Sequence, residues 1–173
     1  MMAGVSIAEQ AMRRGEALAV LGRALLSPAH APALFESSPH VVSAPWLSEH
    51  LGWSPGRRVL LERFTARIEA MRAQRVMPLC ALVGGSFVGT GDAPNDLDAL
   101  VIYRTDAAPD VIAAVLRTKI EGLDLRYVPE DADPILLIKM TCFFHTLYQG
   151  IDNGACRGSM LTLFHDSILA GAD

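Results

Sequence analysis

The sequence predicts an α+β domain in which helices pack on a central β-sheet, preceded by an N-terminal helical segment. Short apolar runs at 79–83 and 97–103 are typical of buried strands. Apolar residues at helical spacing predict amphipathic helices within 7–26 and 55–74. A chain of 173 residues, of which 51% are hydrophobic, is long enough for one domain with a full core.

The chain divides into an N-terminal part, 1–50, and a main domain, 51–173, which together form one globular unit. The first part begins with the predicted helix over 7–26. Its apolar stripe consists of Ile7, Ala11, Leu18, Leu21 and Leu25. The connection over 27–45 contains four prolines and lacks a hydrophobic period, so we expect an irregular surface segment there.

The main domain should alternate helices and strands. The predicted elements are a short helical turn at 45–51, a helix at 55–74, strands at 79–83 and 97–103, a helix at 109–119, and a strand at 123–128. After Pro134 the apolar run is longer than most strands and lacks a clean helical stripe, and we predict a turn followed by a strand over 142–147. A turn at 150–158 then leads to an antiparallel strand at 160–164.

Charge and cysteine content exclude several classes of protein. The net charge is −4, and residues 76–173 carry six basic and thirteen acidic side chains. Extended nucleic-acid binding is therefore not expected, although a small RNA end stays open as a substrate. The three cysteines lack a C-x-x-C spacing and suggest reduced thiols. With neither a signal peptide nor a membrane-spanning run, we expect a cytoplasmic protein.

One stretch has a composition typical of a chemical site. Asp96 and Asp98 are two residues apart in a predicted strand segment, which would place both carboxylates on one face. Two like charges repel unless a cation lies between them, and hard oxygen ligands suit Mg²⁺ or Mn²⁺. Upstream, Gly84, Gly85 and Ser86 would leave backbone N–H groups accessible to a phosphate, at the start of a helix. The alternatives are a solvated strand-entry loop, and a tight turn with Ser86 as a helix cap.

Asp124 is the candidate third carboxylate. It lies in an apolar strand context, where an aspartate is costly unless it is paired or bound to a metal. Because it follows Asp98 after one helix, its strand should lie beside the strand that starts at Asp98. Two-metal phosphoryl-transfer sites usually need such a third acidic ligand. The alternative is that Arg126, two residues away, pairs with Asp124 across one strand face.

The chain resembles the DNA polymerase beta superfamily of nucleotidyltransferases. The resemblance rests on Gly85-Ser86, a nine-residue spacer, Asp96-Leu97-Asp98, and the later strand residue Asp124. More narrowly, Gly-Ser-Phe-Val, Pro-Asn-Asp-Leu-Asp and the Arg57-Arg58 helix are similar to a family of small bacterial nucleotidyltransferase-like proteins. The resemblance covers about 51–163 and implies a nucleotidyltransferase-like central mixed β-sheet.

The resemblance also implies an activity and a set of roles. Gly84, Gly85 and Ser86 would hold the phosphates of a nucleoside triphosphate, whereas Asp96, Asp98 and Asp124 would be catalytic metal ligands for Mg²⁺ or Mn²⁺. A nucleoside monophosphate would then pass from the triphosphate to a hydroxyl acceptor, with release of pyrophosphate. The sequence does not identify the acceptor, which is a small molecule, a protein or an RNA end.

The chain departs from the family pattern because no basic residue follows the Gly-Ser turn. Phosphate charge would therefore have to be met elsewhere. The available cations are Arg104, Lys119, Arg126 and Lys139. The departure leaves open a second hypothesis, a catalytically weak binding or regulatory module such as a toxin-antitoxin or defence-system partner. A protein partner and a homo-oligomer both remain open, and Arg57-Arg58 is interpreted as a solvated helix face.

Overall fold

The computed structural model describes residues 38–89, 91–149, 151–152, 155–156 and 158–164. The predicted helix over 7–26 lies outside these residues. The helices are α1 (Ala44–Leu51), α2 (Pro55–Ala73), α3 (Pro109–Arg117) and α4 (Pro134–Tyr148). The strands are β1 (His40–Ser43), β2 (Val76–Gly84), β3 (Leu97–Thr105), β4 (Leu123–Pro129), β5 (Ile151–Asp152), β6 (Ala155–Cys156) and β7 (Met160–Leu163). The described part of the chain is thus an α+β fold.

Five strands form one mixed sheet in the order β1-β7-β2-β3-β4. β2 pairs antiparallel with both β3 and β7, whereas β3 and β4 run parallel through the crossover helix α3. The strand predicted at 160–164 is β7, and it is antiparallel to β2. The short β5–β6 hairpin forms a separate two-stranded sheet.

Helices cover the sheet on both faces. The larger hydrophobic core lies on the side of α1, α2 and α3, and it includes Leu47, Phe64, Val83 and Val101. A smaller core lies beneath α4 and consists of Leu82, Leu100, Val128 and Tyr148. The alternation along β3 explains the division, because odd-numbered residues from Leu97 onward face the larger core and even-numbered ones face α4.

Two predicted elements are wrong. His40–Ser43 falls in the predicted irregular connection, yet it forms β1 because its backbone pairs with β7. Residues 142–147 form no strand but lie within α4. The cause is visible at the start of that helix, where the Asp133 side chain accepts hydrogen bonds from two backbone N–H groups and Pro134 occupies the first turn. This start signal outweighs the missing helical stripe.

α4 approaches the sheet closely at one glycine. A Cβ atom on Gly84 would lie 2.2 Å from the Cβ atom of Tyr148, closer than two carbon atoms can approach. Tyr148 is buried in the last turn of α4, so this contact fixes the end of the helix over the end of β2. A side chain at residue 84 would push α4 off the sheet.

We expect Gly84→Ala to destabilise the protein by about 2 kcal/mol, the usual range for forcing an extra carbon into a packed contact. Urea unfolding followed by circular dichroism measures the change in the free energy of unfolding. Gly91→Ala is the matched control, because a Cβ atom there meets nothing within 4 Å. Equal losses in the two variants would contradict the tight contact between Gly84 and Tyr148.

Candidate functional site

The candidate site lies at one end of the sheet, on the face that α4 covers. Asp98 is the second residue of β3 and stands in register with Gly84 of β2 on one side. On the other side it stands in register with Asp124 of β4. The prediction that the strand of Asp124 lies beside that of Asp98 is confirmed. Both residues project from the same sheet face, because neighbouring strands in register share their pleat.

The Gly-Ser turn contacts Asp98 directly. A Cβ atom on Gly85 would lie 1.9 Å from Oδ2 of Asp98, so the carboxylate occupies the space that any side chain would need. Gly85 also has a φ of +65°, a conformation that favours glycine. Two independent constraints therefore require glycine here, and both bring the turn against the carboxylate.

In place of the helix predicted near Ser86, Gly85–Val88 form a single 3-10 turn. The Ser86 side chain is exposed. The turn ends where the backbone N–H of Gly89 donates to the carbonyl of Ser86 at 3.0 Å. Among the described residues, no α-helix starts at Ser86 to direct its dipole at a phosphate. A phosphate at this turn would contact the exposed Ser86 side chain and local backbone N–H groups rather than the end of an α-helix.

Asp96 lies just before β3, which begins at Leu97. The interpretation of Asp96 and Asp98 as two positions of one strand is wrong for Asp96, so strand alternation does not fix its direction. The chain at this point is held by the backbone N–H of Leu97, which donates to the carbonyl of Gly122 at 2.9 Å. Asp96 is partly buried.

Asp124 forms an ion pair with Arg126. One guanidinium nitrogen of Arg126, Nη2, lies 3.0 Å from Oδ1 and 3.3 Å from Oδ2 of Asp124. The side chains are 55% and 49% exposed. Such solvent-exposed pairs contribute about 0–1 kcal/mol, so a ligand of either group needs little free energy to separate them. The sequence left open whether Asp124 pairs with Arg126, and in the structure it does.

Tyr148 borders the two carboxylates and was missed by the sequence analysis. Burial raises the pKa of its hydroxyl, and the negative charges of Asp98 and Asp124 raise it further, against a smaller opposing effect of Arg126. The hydroxyl therefore stays protonated and can donate a hydrogen bond near the carboxylates. Asp133-Pro134 could have predicted this position, because the pair is a typical helix start and a helix that begins there carries Tyr148 in its last turn.

Arg57 holds the loop that follows the Gly-Ser turn. Its guanidinium donates to the carbonyls of Phe87 at 2.7 Å, Gly89 at 2.5 Å and Gly91 at 2.9 Å. The guanidinium carbon also lies 3.6 Å from the ring centroid of Trp53. Arg57 is fully buried, so its interpretation as a solvated helix residue is wrong. Its neighbour Arg58 is exposed, as expected.

The same loop is tied to the start of α2 at a second point. The indole nitrogen of Trp53 donates to Oδ1 of Asp92 at 3.1 Å, and the Ser54 hydroxyl donates to the backbone carbonyl of Asp92. Ser54 also caps α2 by accepting from the backbone N–H of Arg57. The loop between β2 and β3 is therefore positioned by the N-terminal end of α2.

The donor types of the site suit a hard divalent cation, but the carboxylates do not form a closed cage. Among the residues that the structure describes, no group of three or more His, Cys, Asp or Glu side chains is arranged to hold a metal ion. Mg²⁺ is commonly bound through one or two carboxylates, with waters and substrate phosphates completing its octahedron. Asp98 and Asp124 fit such an open arrangement.

The chain belongs to a family of unknown function, DUF6932, whose model matches residues 24–153. The match spans the Gly-Ser turn and all three candidate carboxylates. Searches of curated proteins and of solved structures found no match. No helix in the described parts of the chain is long and apolar enough to cross a membrane.

We expect Arg57→Met to lower the free energy of unfolding by about 3 kcal/mol or more. The substitution preserves much of the side-chain volume but leaves three loop carbonyls without the guanidinium, and hydrogen bonds to charged groups contribute about 1.5–3 kcal/mol each. Urea unfolding measures the loss, and hydrogen exchange should show faster exchange in the 85–91 peptide.

Arg58→Met is the matched control, because Arg58 makes one exposed hydrogen bond to the carbonyl of Gly52. It should lose less than about 1 kcal/mol, the usual range for a surface substitution. If both variants unfold at the same urea concentration, the loop does not depend on the buried guanidinium.

Proposed function

We propose that the protein is a metal-dependent nucleotidyltransferase that moves a nucleoside monophosphate from a triphosphate to a hydroxyl acceptor. One observation carries the proposal. Asp98 stands in register with Asp124, and its carboxylate fills the space beside Gly85 of the Gly-Ser turn. The turn thus contacts one carboxylate of the sequence pattern, and a second carboxylate lies beside that one on the neighbouring strand, which supports their acting on one ligand.

Asp98 and Asp124 are the proposed metal ligands, with Asp96 as the third. Their hard oxygen atoms suit Mg²⁺ or Mn²⁺, and the repulsion between adjacent carboxylates favours a cation between them. When bound, the cation would neutralise phosphate charge as the reaction proceeds. Oxygen atoms of the triphosphate would supply the remaining ligands of the cation. The carboxylates alone would therefore not complete its coordination until the substrate binds.

The phosphate groups would contact the Gly-Ser turn and one cation. Ser86 presents an exposed hydroxyl to such a phosphate. Tyr148 and the Asp98 carboxylate occupy the space beside Gly84 and Gly85, so the predicted access to the backbone of these two glycines is not open. Of the candidate cations, Arg104 donates two hydrogen bonds to the carboxylate of Glu130 and is held there. Arg126 projects from the site face, and among the described residues its side chain pairs with Asp124 in a weak exposed ion pair. We propose Arg126 as the phosphate cation, because it lies on the strand of Asp124 and shares the sheet face of Asp98.

The proposed reaction needs positioning rather than a protein nucleophile. The acceptor oxygen would form a bond to the α-phosphorus while the bond to the departing pyrophosphate breaks, and a site carboxylate would take the hydroxyl proton. Holding the two reactants in line supplies much of the catalysis in such transfers. Arg57 contributes indirectly, since it fixes the loop that carries the turn.

A second candidate function is a nucleotidyltransferase-like binding or regulatory module without efficient turnover. The observation in its favour is that Asp124 is paired with Arg126 rather than grouped with Asp96 and Asp98. The two functions differ in one readout. A module would bind nucleotide, or a protein partner, without releasing pyrophosphate in the presence of any acceptor.

The first test is binding of ATP, GTP, CTP and UTP with Mg²⁺, measured by isothermal titration calorimetry. We expect at least one triphosphate to bind, and Asp98→Asn to weaken it at least tenfold by removing one carboxylate charge without changing the side-chain shape. Glu62→Gln, at an exposed position of α2, is the charge-matched control and should leave the affinity unchanged. Absence of binding to the wild type in every titration would refute the proposal.

The second test concerns Arg126. We expect Arg126→Gln to weaken triphosphate binding by about tenfold to a hundredfold, since one charge-assisted hydrogen bond contributes about 1.5–3 kcal/mol. Arg104→Gln removes the same charge from an exposed position of β3 and should change the affinity less than twofold. Unchanged or tighter binding by Arg126→Gln would limit Arg126 to its pair with Asp124.

A further inference from the structure

The outer face of α4 exposes an unusual number of large apolar side chains. Its five members are Ile135, Leu136, Ile138, Phe143 and Leu147, which are 50–68% exposed. Lys139 is the only charged residue of the 15-residue helix apart from the titratable His145. Single exposed apolar residues are normal, but a contiguous group on one helix is typical of a surface that another element covers.

The N-terminal part of the chain enters the structure beside this helix. The backbone N–H of Ser159 donates to Oγ of Ser38 at 2.9 Å. The hydroxyl of Ser159 in turn lies 2.8 Å from Nδ1 of His145, in the last turns of α4. Ser38 is therefore linked through one residue to the C-terminal end of α4, and 37 residues precede it.

Those 37 residues include a segment suited to the outer face of α4. The sequence predicts an amphipathic helix over 7–26, outside the described residues, with Leu18, Leu21 and Leu25 in its apolar stripe. The 11 residues from 27 to 37 can span up to about 36–40 Å when extended. α4 is about 22 Å long at 1.5 Å per residue. The connection can therefore reach any position along α4.

We propose that residues 7–26 of the same chain dock as a helix on the outer face of α4, with their apolar stripe against its five exposed apolar side chains. The point of entry at Ser38, the length of the connection and the nearly uncharged helix surface favour this occupant over a charged partner. The proposal does not rest on the activity of the site, because it concerns the opposite side of α4.

Cys142 provides a natural reporter, since it is exposed on α4 one turn after Ile138. In the 173-residue chain with Cys156→Ser, a cysteine would be introduced at residue 18, 21 or 25 in turn, and each variant would be oxidised under dilute conditions. We expect at least one of Leu18→Cys, Leu21→Cys and Leu25→Cys to form an intramolecular disulfide with Cys142. Its rate should be at least tenfold that of Glu16→Cys, which lies opposite the apolar stripe at helical spacing, and independent of protein concentration.

A second measurement uses alkylation of Cys142 by iodoacetamide, followed by peptide mass spectrometry. The variant Leu18→Asp/Leu21→Asp should raise the alkylation rate at least fivefold over the wild type. Burial raises the pKa of the Cys80 thiol to about 11, so Cys80 should react slowly in both proteins and report on intact folding.

Crosslinks between chains, with a rate that rises with concentration, would overturn the proposal in favour of a second copy on this face. Equal rates for the apolar-stripe and Glu16 positions, with equal alkylation of Cys142 in the wild type and in Leu18→Asp/Leu21→Asp, would also overturn it. Far-ultraviolet circular dichroism of each variant confirms that these rates describe folded protein.

Discussion

The buried guanidinium of Arg57 is the interaction on which the candidate site depends. A charge removed from water is costly unless its hydrogen bonds are replaced, and here three loop carbonyls and the ring of Trp53 replace them. The same bonds dictate the shape of the loop, because carbonyls turned toward Arg57 cannot continue a helix from the Gly-Ser turn. The loop therefore leaves β2 in one short 3-10 turn and returns to β3 beside Asp98.

Two adjacent glycines then determine what borders the site. Gly84 admits Tyr148 from α4, whereas Gly85 admits the carboxylate of Asp98 from β3. Each glycine is required by a different neighbour, so the Gly-Gly pair joins the sheet, the helix and the carboxylate at one point. Burial, and then the charges of Asp98 and Asp124, raise the pKa of the Tyr148 hydroxyl, so this hydroxyl keeps its proton beside the two carboxylates. The site is thus built mainly from packing constraints.

The sequence predicted the elements with local signals and missed those decided by distant contacts. The helix at Pro55 and the strand at Leu123 have clear periodicity and appear within a few residues of their predicted bounds. β1 was missed because its four residues are stabilised by pairing with β7, 120 residues later. Arg57 was misjudged for the same reason, since arginine at a helix start is usually solvated and its carbonyl partners lie 30–34 residues away. That the strand of Asp124 lies beside that of Asp98 was predictable, because one crossover helix separates the two strands.

α4 connects the candidate site to the proposed docking surface. Its inner side carries Tyr148 into the space left by Gly84, where a displacement of even one carbon–carbon bond length would produce a clash or a gap. Its contacts with the sheet involve the small core around Leu82, Leu100 and Val128, a smaller set than the core on the opposite face. A helix held by so few contacts on one side gains stability from any apolar element that packs on the other. Cover on the outer face would therefore also fix Tyr148 relative to Asp98 and Asp124, so that the N-terminal segment would support the geometry of the site without contacting a ligand.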